Sequence, residues 1–129
     1  GLTVNSFNSV SLSPPLILWS LALSARSLDA FRDHGAFAVN VLAADQQALC
    51  RHFASAEGDR FAGIDWHEGL ARVPVMEGVA AVFECALWAR YPGGDHEIFL
   101  GEVRRHDNSE TRPLVYGRGQ LAAFPEAEA

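Results

Sequence analysis

The chain is 129 residues long, with 49% hydrophobic and 20% charged residues, which suits one globular domain with a single modest core. Its formal net charge is −6, and its basic residues are scattered along the chain, with Arg104-Arg105 as the exception. This distribution excludes a basic surface of the kind that binds a nucleic-acid backbone. No apolar stretch reaches the roughly 20 residues of a membrane-spanning helix, and the chain opens without a basic leader. We therefore expect a cytoplasmic protein without nucleic-acid or membrane partners.

The N-terminal stretch LTVNSFNSVSLSPPLILWSL, residues 2–21, changes character at Pro14-Pro15. Before the prolines, apolar and polar residues alternate over 2–5, which predicts a strand from the start of the chain. After them, residues 16–21 form an apolar run that predicts a buried strand. The sequence thus places many small hydroxyl and amide groups directly against a buried element.

Two short helices are predicted next. In SARSLDAFRDHG, Ser27 is the expected N-cap and Gly35 the C-terminal stop. A strand is expected at 37–42, and DQQALCRHFAS then has the spacing of a helix with Asp45 as its cap.

The strongest strand pattern lies at 79–91, where VAAVFECALWARY alternates, meets Gly93-Gly94-Asp95 and continues as HEIFLGEVRR. This predicts an antiparallel hairpin. A final strand at 112–119 would complete four or five strands against two short helices, which favours an all-β barrel over βαβ units. We expect one domain over 1–121, followed by a tail or linker at 122–129.

Other chemistries are disfavoured by their motifs. Cys50 and Cys85 form no C-x-x-C pair, which predicts reduced or buried thiols, and the histidines form no H-E-x-x-H, so no metal is expected. No G-x-S-x-G elbow is present, and GRGQLA at 117–122 lacks the helix and parallel strand of a dinucleotide-binding turn. A ligand site built mainly from strand and turn residues remains.

Five segments, in this order, resemble the short-chain flavin reductase family: GLTVNSFNSVSLSPPLILWSL, FAVNVLAADQQALCRHFA, RFAGIDW, MEGVAAVFEC and GGDHEIFLGEV. The resemblance implies an FMN-binding split β-barrel that pairs as a homodimer. It also implies reduction of FMN or FAD by NADH or NADPH, often to supply a separate monooxygenase. The family ordinarily has a further helix and strand before the equivalent of GLTVNSF, and we expect the domain over 1–121 to lack both.

The resemblance assigns the polar N-terminal half to the flavin. A flavin has a flat apolar ring with polar edges, a hydroxylated chain and a phosphate, so neutral hydrogen-bonding groups beside an apolar floor suit it. The simpler interpretation of Asn5 and Ser6 is a half-exposed strand face, and that of Phe7 is an ordinary core aromatic. The residues implied for the isoalloxazine, the ribityl chain and the backbone near them are Thr3, Asn5, Ser6, Phe7 and Ser11.

The phosphate is assigned by resemblance to Ser24, Arg26 and Ser27 in SARS. A helix start with exposed N–H groups attracts an anion, and Arg26 adds charged donors, which supports the assignment independently. A simple cap and a solvated charge are the alternative.

The nicotinamide is assigned by resemblance to His96, in the turn GGDH. There it would position the donor for hydride transfer to flavin N5, with little acid–base work; the alternative is a solvated side chain. Tyr116 and Arg118 are implied to contact the nicotinamide nucleotide or a partner subunit, and Arg60 the flavin tail or only solvent.

Two functions follow from the resemblance. The first is an NAD(P)H:flavin oxidoreductase, with His96 as its catalytic-site residue. The alternative is a non-catalytic flavin-binding module of the same fold, serving as a sensor, store or fused accessory domain.

Overall fold

A computed structural model describes residues 1–55 and 59–125. Within these ranges, the chain forms nine strands, two α-helices and one 3-10 turn. In chain order they are β1 (Asn8–Leu12), β2 (Pro15–Ala22), α1 (Leu28–His34), β3 (Ala36–Val41), α2 (Gln47–Ala54), β4 (Trp66–Glu68), the 3-10 turn (Leu70–Arg72), β5 (Pro74–Met76), β6 (Ala81–Gly93), β7 (His96–Asn108), β8 (Leu114–Gly117) and β9 (Gln120–Ala123).

The main sheet has the strand order β1-β2-β7-β6-β3, and every neighbouring pair is antiparallel. Strands β6 and β7 pair from Ala81 opposite Asn108 to Gly93 opposite His96, so the predicted hairpin is confirmed. Strands β4 and β5 form a second sheet, and β8 and β9 a third. The β-rich fold class is therefore confirmed, and neither helix among the described residues is long and apolar enough to cross a membrane.

The core lies on one face of the main sheet. Inward-facing Trp19 of β2 is 3% exposed and stacks on Phe99 of β7, with ring centroids 5.0 Å apart. Gly101 on β7 makes room for this packing, because a Cβ there would overlap the ring of Phe37 and lie 2.7 Å from Cys85 Cβ. The period-2 pattern of β2 and β7 thus places their apolar side chains in one aromatic core.

The strand expected from the start of the chain is absent from residues 1–7, which are all described, and β1 begins at Asn8. Asn8 pairs with Leu18, so a β1 longer by two residues would place Ser6 opposite Ser20. There the Ser6 hydroxyl accepts a hydrogen bond from the Ser20 N–H at 2.9 Å. A side chain therefore satisfies the donor that a continued ladder would have used.

The helix ends differ in part from prediction. Gly35 ends α1 with φ 79°, as expected. Ser27 occupies the N-cap position of α1, but among the described residues its side chain makes no capping hydrogen bond. The N-cap of α2 is Gln46 and not Asp45, since the helix hydrogen bonds begin at the Gln46 carbonyl, which accepts from the Cys50 N–H at 3.0 Å. The Gln46 amide oxygen accepts from the Ala43 N–H at 2.8 Å, outside the helix.

The predicted single strand at 112–119 is wrong in detail. The chain turns back at Arg118, whose φ is 52°, and forms the separate hairpin of β8 and β9. Strand β9 ends at Ala123, two residues beyond the expected domain boundary at 121, which stays a prediction.

Candidate functional site

A cavity of about 970 Å³ opens along β3. Strand β3 pairs with β6 on one side only, and all six of its residues line the cavity. The other walls include residues 1–7 (the N-terminal segment), α1, α2, the 3-10 turn, β5, β8 and β9. Four phenylalanines outside β3 give these walls much of their apolar surface: Phe7, Phe31, Phe53 and Phe61.

The polar groups of the cavity are neutral or basic. Arg51, Arg72 and His34 line it, and no Asp or Glu occurs among its described lining residues, although the whole chain has a net charge of −6. Trp19 also lines the cavity, and its buried indole N–H has no hydrogen-bond partner in the described part of the chain. The cavity is therefore suited to a ligand with an apolar aromatic part, a hydrogen-bond acceptor and an anionic group.

Three of the five residues predicted in the N-terminal stretch line the cavity: Thr3, Asn5 and Phe7. The Thr3 hydroxyl donates to the Cys50 carbonyl at 2.6 Å, which attaches this segment to α2 and leaves the Thr3 oxygen free to accept. The Phe7 ring lies 5.4 Å from that of Phe83, so it belongs to both the core edge and the cavity wall.

Ser6 and Ser11 lie outside the cavity lining. The Ser6 hydroxyl is occupied by the backbone of Ser20, to which it also donates at 3.4 Å. Ser11 is half-buried on β1 and pairs with Leu16, next to a bulge in the ladder. Ser6 therefore holds the N-terminal segment against β2, whereas Ser11 belongs to the ladder between β1 and β2.

Of the three residues predicted for phosphate, Ser27 lines the cavity, while Ser24 and Arg26 are exposed outside it. Because α1 has only seven residues, its dipole is small. Any attraction of an anion to the loop before α1 therefore depends on side chains and single N–H groups. This loop is attached to the β6–β7 turn, where the Leu23 N–H donates to the Asp95 carbonyl at 2.9 Å.

His96 is the first residue of β7, directly after that turn, and it is not in the cavity lining. Its Nδ1 is 2.7 Å from Asp95 Oδ1, and its side chain is 46% exposed. The hydrogen bond from His96 lowers the pKa of the Asp95 carboxyl. Since His96 pairs with Ala22 across the ladder, the structure brings it beside the Ser24–Ser27 loop.

The other predicted contacts are scattered. Tyr116 on β8 lines the cavity and is 56% exposed, whereas Arg118 lies in the β8–β9 turn outside it. Arg60 is also outside the lining, and its guanidinium donates to the Gly1 carbonyl. The structure therefore brings Thr3, Asn5, Phe7, Ser27 and Tyr116 together in one cavity and leaves the other predicted residues around it.

One cluster near the predicted site was missed by sequence reasoning. Glu97 on β7 is 8% exposed and accepts hydrogen bonds from both Arg32 of α1 and Arg90 of β6. These bonds lower the pKa of the Glu97 carboxyl to about 2, so it is ionised at neutral pH. The available signal was a glutamate at an inward position of an alternating strand, two residues before Phe99.

The two cysteines are free and buried, as predicted. Burial, reinforced by Glu84, raises the pKa of the Cys85 thiol to about 12, so this group is not a nucleophile at neutral pH.

The chain belongs to the family described as the flavin reductase like domain, whose model matches residues 1–125. Among curated proteins it is 44% identical to the FMN reductase (NADH) SmoA of Agrobacterium fabrum, over 96% of this chain and 71% of that protein. It is 41% identical to HsaB of Rhodococcus jostii, the reductase subunit of a flavin-dependent monooxygenase, over 96% of this chain and 64% of that protein. The family resemblance predicted from the sequence is confirmed.

Solved structures of flavin reductases are similar to this chain in fold. The Streptomyces globisporus NADH:FAD oxidoreductase SgcE6, in complex with NAD and FAD fragments, matches with a TM-score of 0.93 and 39% identity, covering 98% of this chain and 79% of that one. BorF, the flavin reductase component of a bacterial two-component tryptophan halogenase, matches with a TM-score of 0.90 and 39% identity, covering 98% and 82%. The chain spans 38% of the length of a Rhizobium meliloti relative that is 44% identical to it.

Proposed function

We propose that this chain is the catalytic domain of an NAD(P)H:flavin oxidoreductase, which reduces FMN or FAD by hydride transfer from NADH or NADPH. The observation that carries the proposal is the cavity along β3, which combines aromatic walls with basic groups and has no carboxylate among its described lining residues. Membership of the flavin reductase like family and the names of relatives such as SmoA support the same activity.

The lining residues fit a flavin nucleotide. Phe7 offers an apolar surface for the ring, while the Thr3 oxygen and the Asn5 amide offer the acceptors and donors that its polar edges need. The free hydroxyl of Ser27 lies in the same cavity, and we assign the phosphate to it together with Ser24 and Arg26 of the adjoining loop. A bound flavin would supply the hydride acceptor, and these lining residues would bind and orient it.

His96 is assigned to the nicotinamide. Its Nδ1 bonds to Asp95, so Nε2 is the ring nitrogen left to contact a nucleotide, and the side chain is exposed enough for one to reach it. This role is positioning and needs no proton transfer by the imidazole. Tyr116 and Arg118 are assigned to the same nucleotide or to a partner subunit, and Arg60 to the flavin tail.

The proposal includes a homodimer that delivers reduced flavin to a monooxygenase in the cytoplasm. Exposed aromatic side chains on β6, Trp88 at 52% and Tyr91 at 51%, are suitable for a surface that a second copy covers. HsaB is named as the reductase subunit of a flavin-dependent monooxygenase, and BorF serves a two-component halogenase. These names support an oxygenase partner for the present chain.

The experiment is anaerobic mixing of the protein with FMN or FAD and with NADH or NADPH, while the visible absorbance of oxidised flavin is followed. We expect bleaching with at least one pair of cofactors. Flavin binding without bleaching in any combination would favour the non-catalytic module. The absence of both flavin binding and bleaching would refute both functions.

Paired variants test the site assignment. His96→Ala is expected to raise KM for the nicotinamide nucleotide more than Kd for flavin, and Ser27→Ala to do the opposite. His106→Ala is the matched control, because His106 is also exposed on β7 but lies near the other end of the hairpin. A reversed pattern, or an equal effect of His106→Ala, would contradict the assignment.

A further inference from the structure

Glu97 connects three elements through one carboxylate. Arg32 of α1 donates to it through Nη2 at 2.6 Å and Nε at 3.2 Å, and Arg90 of β6 donates through Nη1 at 2.7 Å. The Glu97 side chain is 10% exposed, whereas those of Arg32 and Arg90 are 34% and 40% exposed. Arg32 makes two bonds to the carboxylate and Arg90 makes one, so the Arg32 contact fixes the relative orientation of the two side chains more strongly.

The two arginines differ in what they join. Arg90 and Glu97 both belong to the β6–β7 hairpin, so their bond lies within one supersecondary unit. Arg32 belongs to α1, which directly follows the Ser24–Ser27 loop. The Arg32–Glu97 bond therefore joins the hairpin to the helix behind this loop.

The same loop is held at its other end. The Leu23 N–H donates to the Asp95 carbonyl, and Ala22 pairs with His96. His96 and Glu97 are consecutive on β7, so their side chains point to opposite faces of the strand. The loop proposed for the phosphate and the residue proposed for the nicotinamide are thus clamped to one hairpin end, with the Arg32–Glu97 bond on the core side.

We propose that Arg32 and Glu97 are positioning residues that fix the Ser24–Ser27 loop relative to His96, and so set the alignment of nicotinamide against flavin. This inference rests on the proposed function. Neither residue has to touch substrate: they act by keeping two binding elements in register, and small misplacements of reacting groups lower rates steeply.

Arg32→Gln and Arg90→Gln form a matched pair, because each removes one positive charge and one partner from the same carboxylate. Only Arg32→Gln removes the link to α1. We expect Arg32→Gln to lower kcat/KM for the nicotinamide nucleotide about tenfold or more and to raise Kd for flavin, whereas Arg90→Gln changes each less than about twofold. Arg32→Lys, which keeps the charge but not the fork, is expected to be intermediate.

A measurement on the cofactor-free protein makes the test independent of activity. Amide hydrogen exchange of the peptide that contains Leu23–Ser27 is expected to accelerate in Arg32→Gln but not in Arg90→Gln. A merely structural or electrostatic role would give the two variants the same exchange, the same melting temperature and the same kinetics, and would overturn the proposal.

The outcomes separate this inference from the proposed function. If the wild type does not bleach flavin and only Arg32→Gln shows faster exchange, the reductase function is refuted but the positioning role of Arg32 and Glu97 is supported. If the wild type is active and the two variants show equal exchange and kinetics, only the positioning role is refuted. If Arg32→Gln does not fold, exchange and kinetics of Arg32→Lys against Arg90→Lys decide the question by the same criterion.

Discussion

The N-terminal segment and the β6–β7 hairpin both have the alternating pattern that predicts a strand, but they fold differently. Both alternate apolar and polar residues, yet residues 1–7 contain no strand, whereas β6 and β7 pair over 13 residues each. Strand β6 lies between β7 and β3, and β7 lies between β2 and β6. Alternation alone is therefore insufficient, because the edge of β2 beside residues 1–7 uses the Ser20 N–H to bond to the Ser6 hydroxyl and not to a backbone ladder.

The N-terminal segment is held by side chains instead. Thr3 donates to the Cys50 carbonyl of α2, and Ser6 exchanges hydrogen bonds with the backbone of Ser20 on β2. The Thr3 and Ser6 hydroxyls thus attach the N-terminal segment to α2 and β2 beside the cavity. The hairpin forms most of the main sheet, and the N-terminal segment supplies polar groups to the cavity lining.

The largest effect should come from the hairpin core. Phe99→Ala removes a fully buried ring that stacks on Trp19 and is expected to lower the free energy of unfolding by about 3–5 kcal/mol. Leu12→Ala, at a side chain 95% exposed on the edge strand β1, is the control and should change it by less than about 0.5 kcal/mol. Urea unfolding followed by circular dichroism measures both; similar values would show that the hairpin core is not dominant.

A smaller effect is expected where β7 approaches β3 and β6. Gly101→Ala would place a methyl group against Phe37 and Cys85, and should lower the free energy of unfolding by about 1–3 kcal/mol. Gly117→Ala on β8 is the matched control, since nothing lies within 4 Å of a Cβ there. The same urea titration distinguishes them, and an unchanged midpoint for Gly101→Ala would contradict the close packing described above.

The smallest effect should come from the N-terminal segment. Ser6→Ala leaves the Ser20 N–H without its acceptor and should cost about 1 kcal/mol of stability. It should also raise Kd for flavin, because Ser6 holds the segment that carries Thr3 and Asn5 to the cavity. Ser9→Ala, on the exposed side of β1, is the control for both measurements. An equal response of the two serine variants would mean that the Ser6 bond does not order this segment.

Local patterns predicted most of the regular elements. The apolar run of β2, the hairpin with its glycine turn and the Gly35 end of α1 each depend on neighbours along the chain. Strands β4 and β5 were missed because each has three residues, too few for a periodic signal. Strand β5 is instead held to β3 by the Asn40 side chain, which donates to the Pro74 carbonyl and accepts from the Met76 N–H, and β4 pairs with β5.

The candidate site was predictable only in part. The sequence marked Thr3, Asn5, Phe7, Ser27 and Tyr116, all of which line the cavity, but it also marked Ser6, whose hydroxyl is used within the fold. A hydroxyl on an alternating segment can face a ligand or a backbone donor. Spacing does not distinguish the two cases, because the partner is distant in sequence.

By itself, the sequence determined the family, the β-rich class and the residue types available for binding, since these follow from ordered motifs and local periodicity. Only the tertiary structure decided where those residues meet. The basic lining of the cavity and the bond between Arg32 and Glu97, which are 65 positions apart, arise from long-range contacts within the folded chain. Such contacts depend on how strands and helices pack, and no local pattern encodes them.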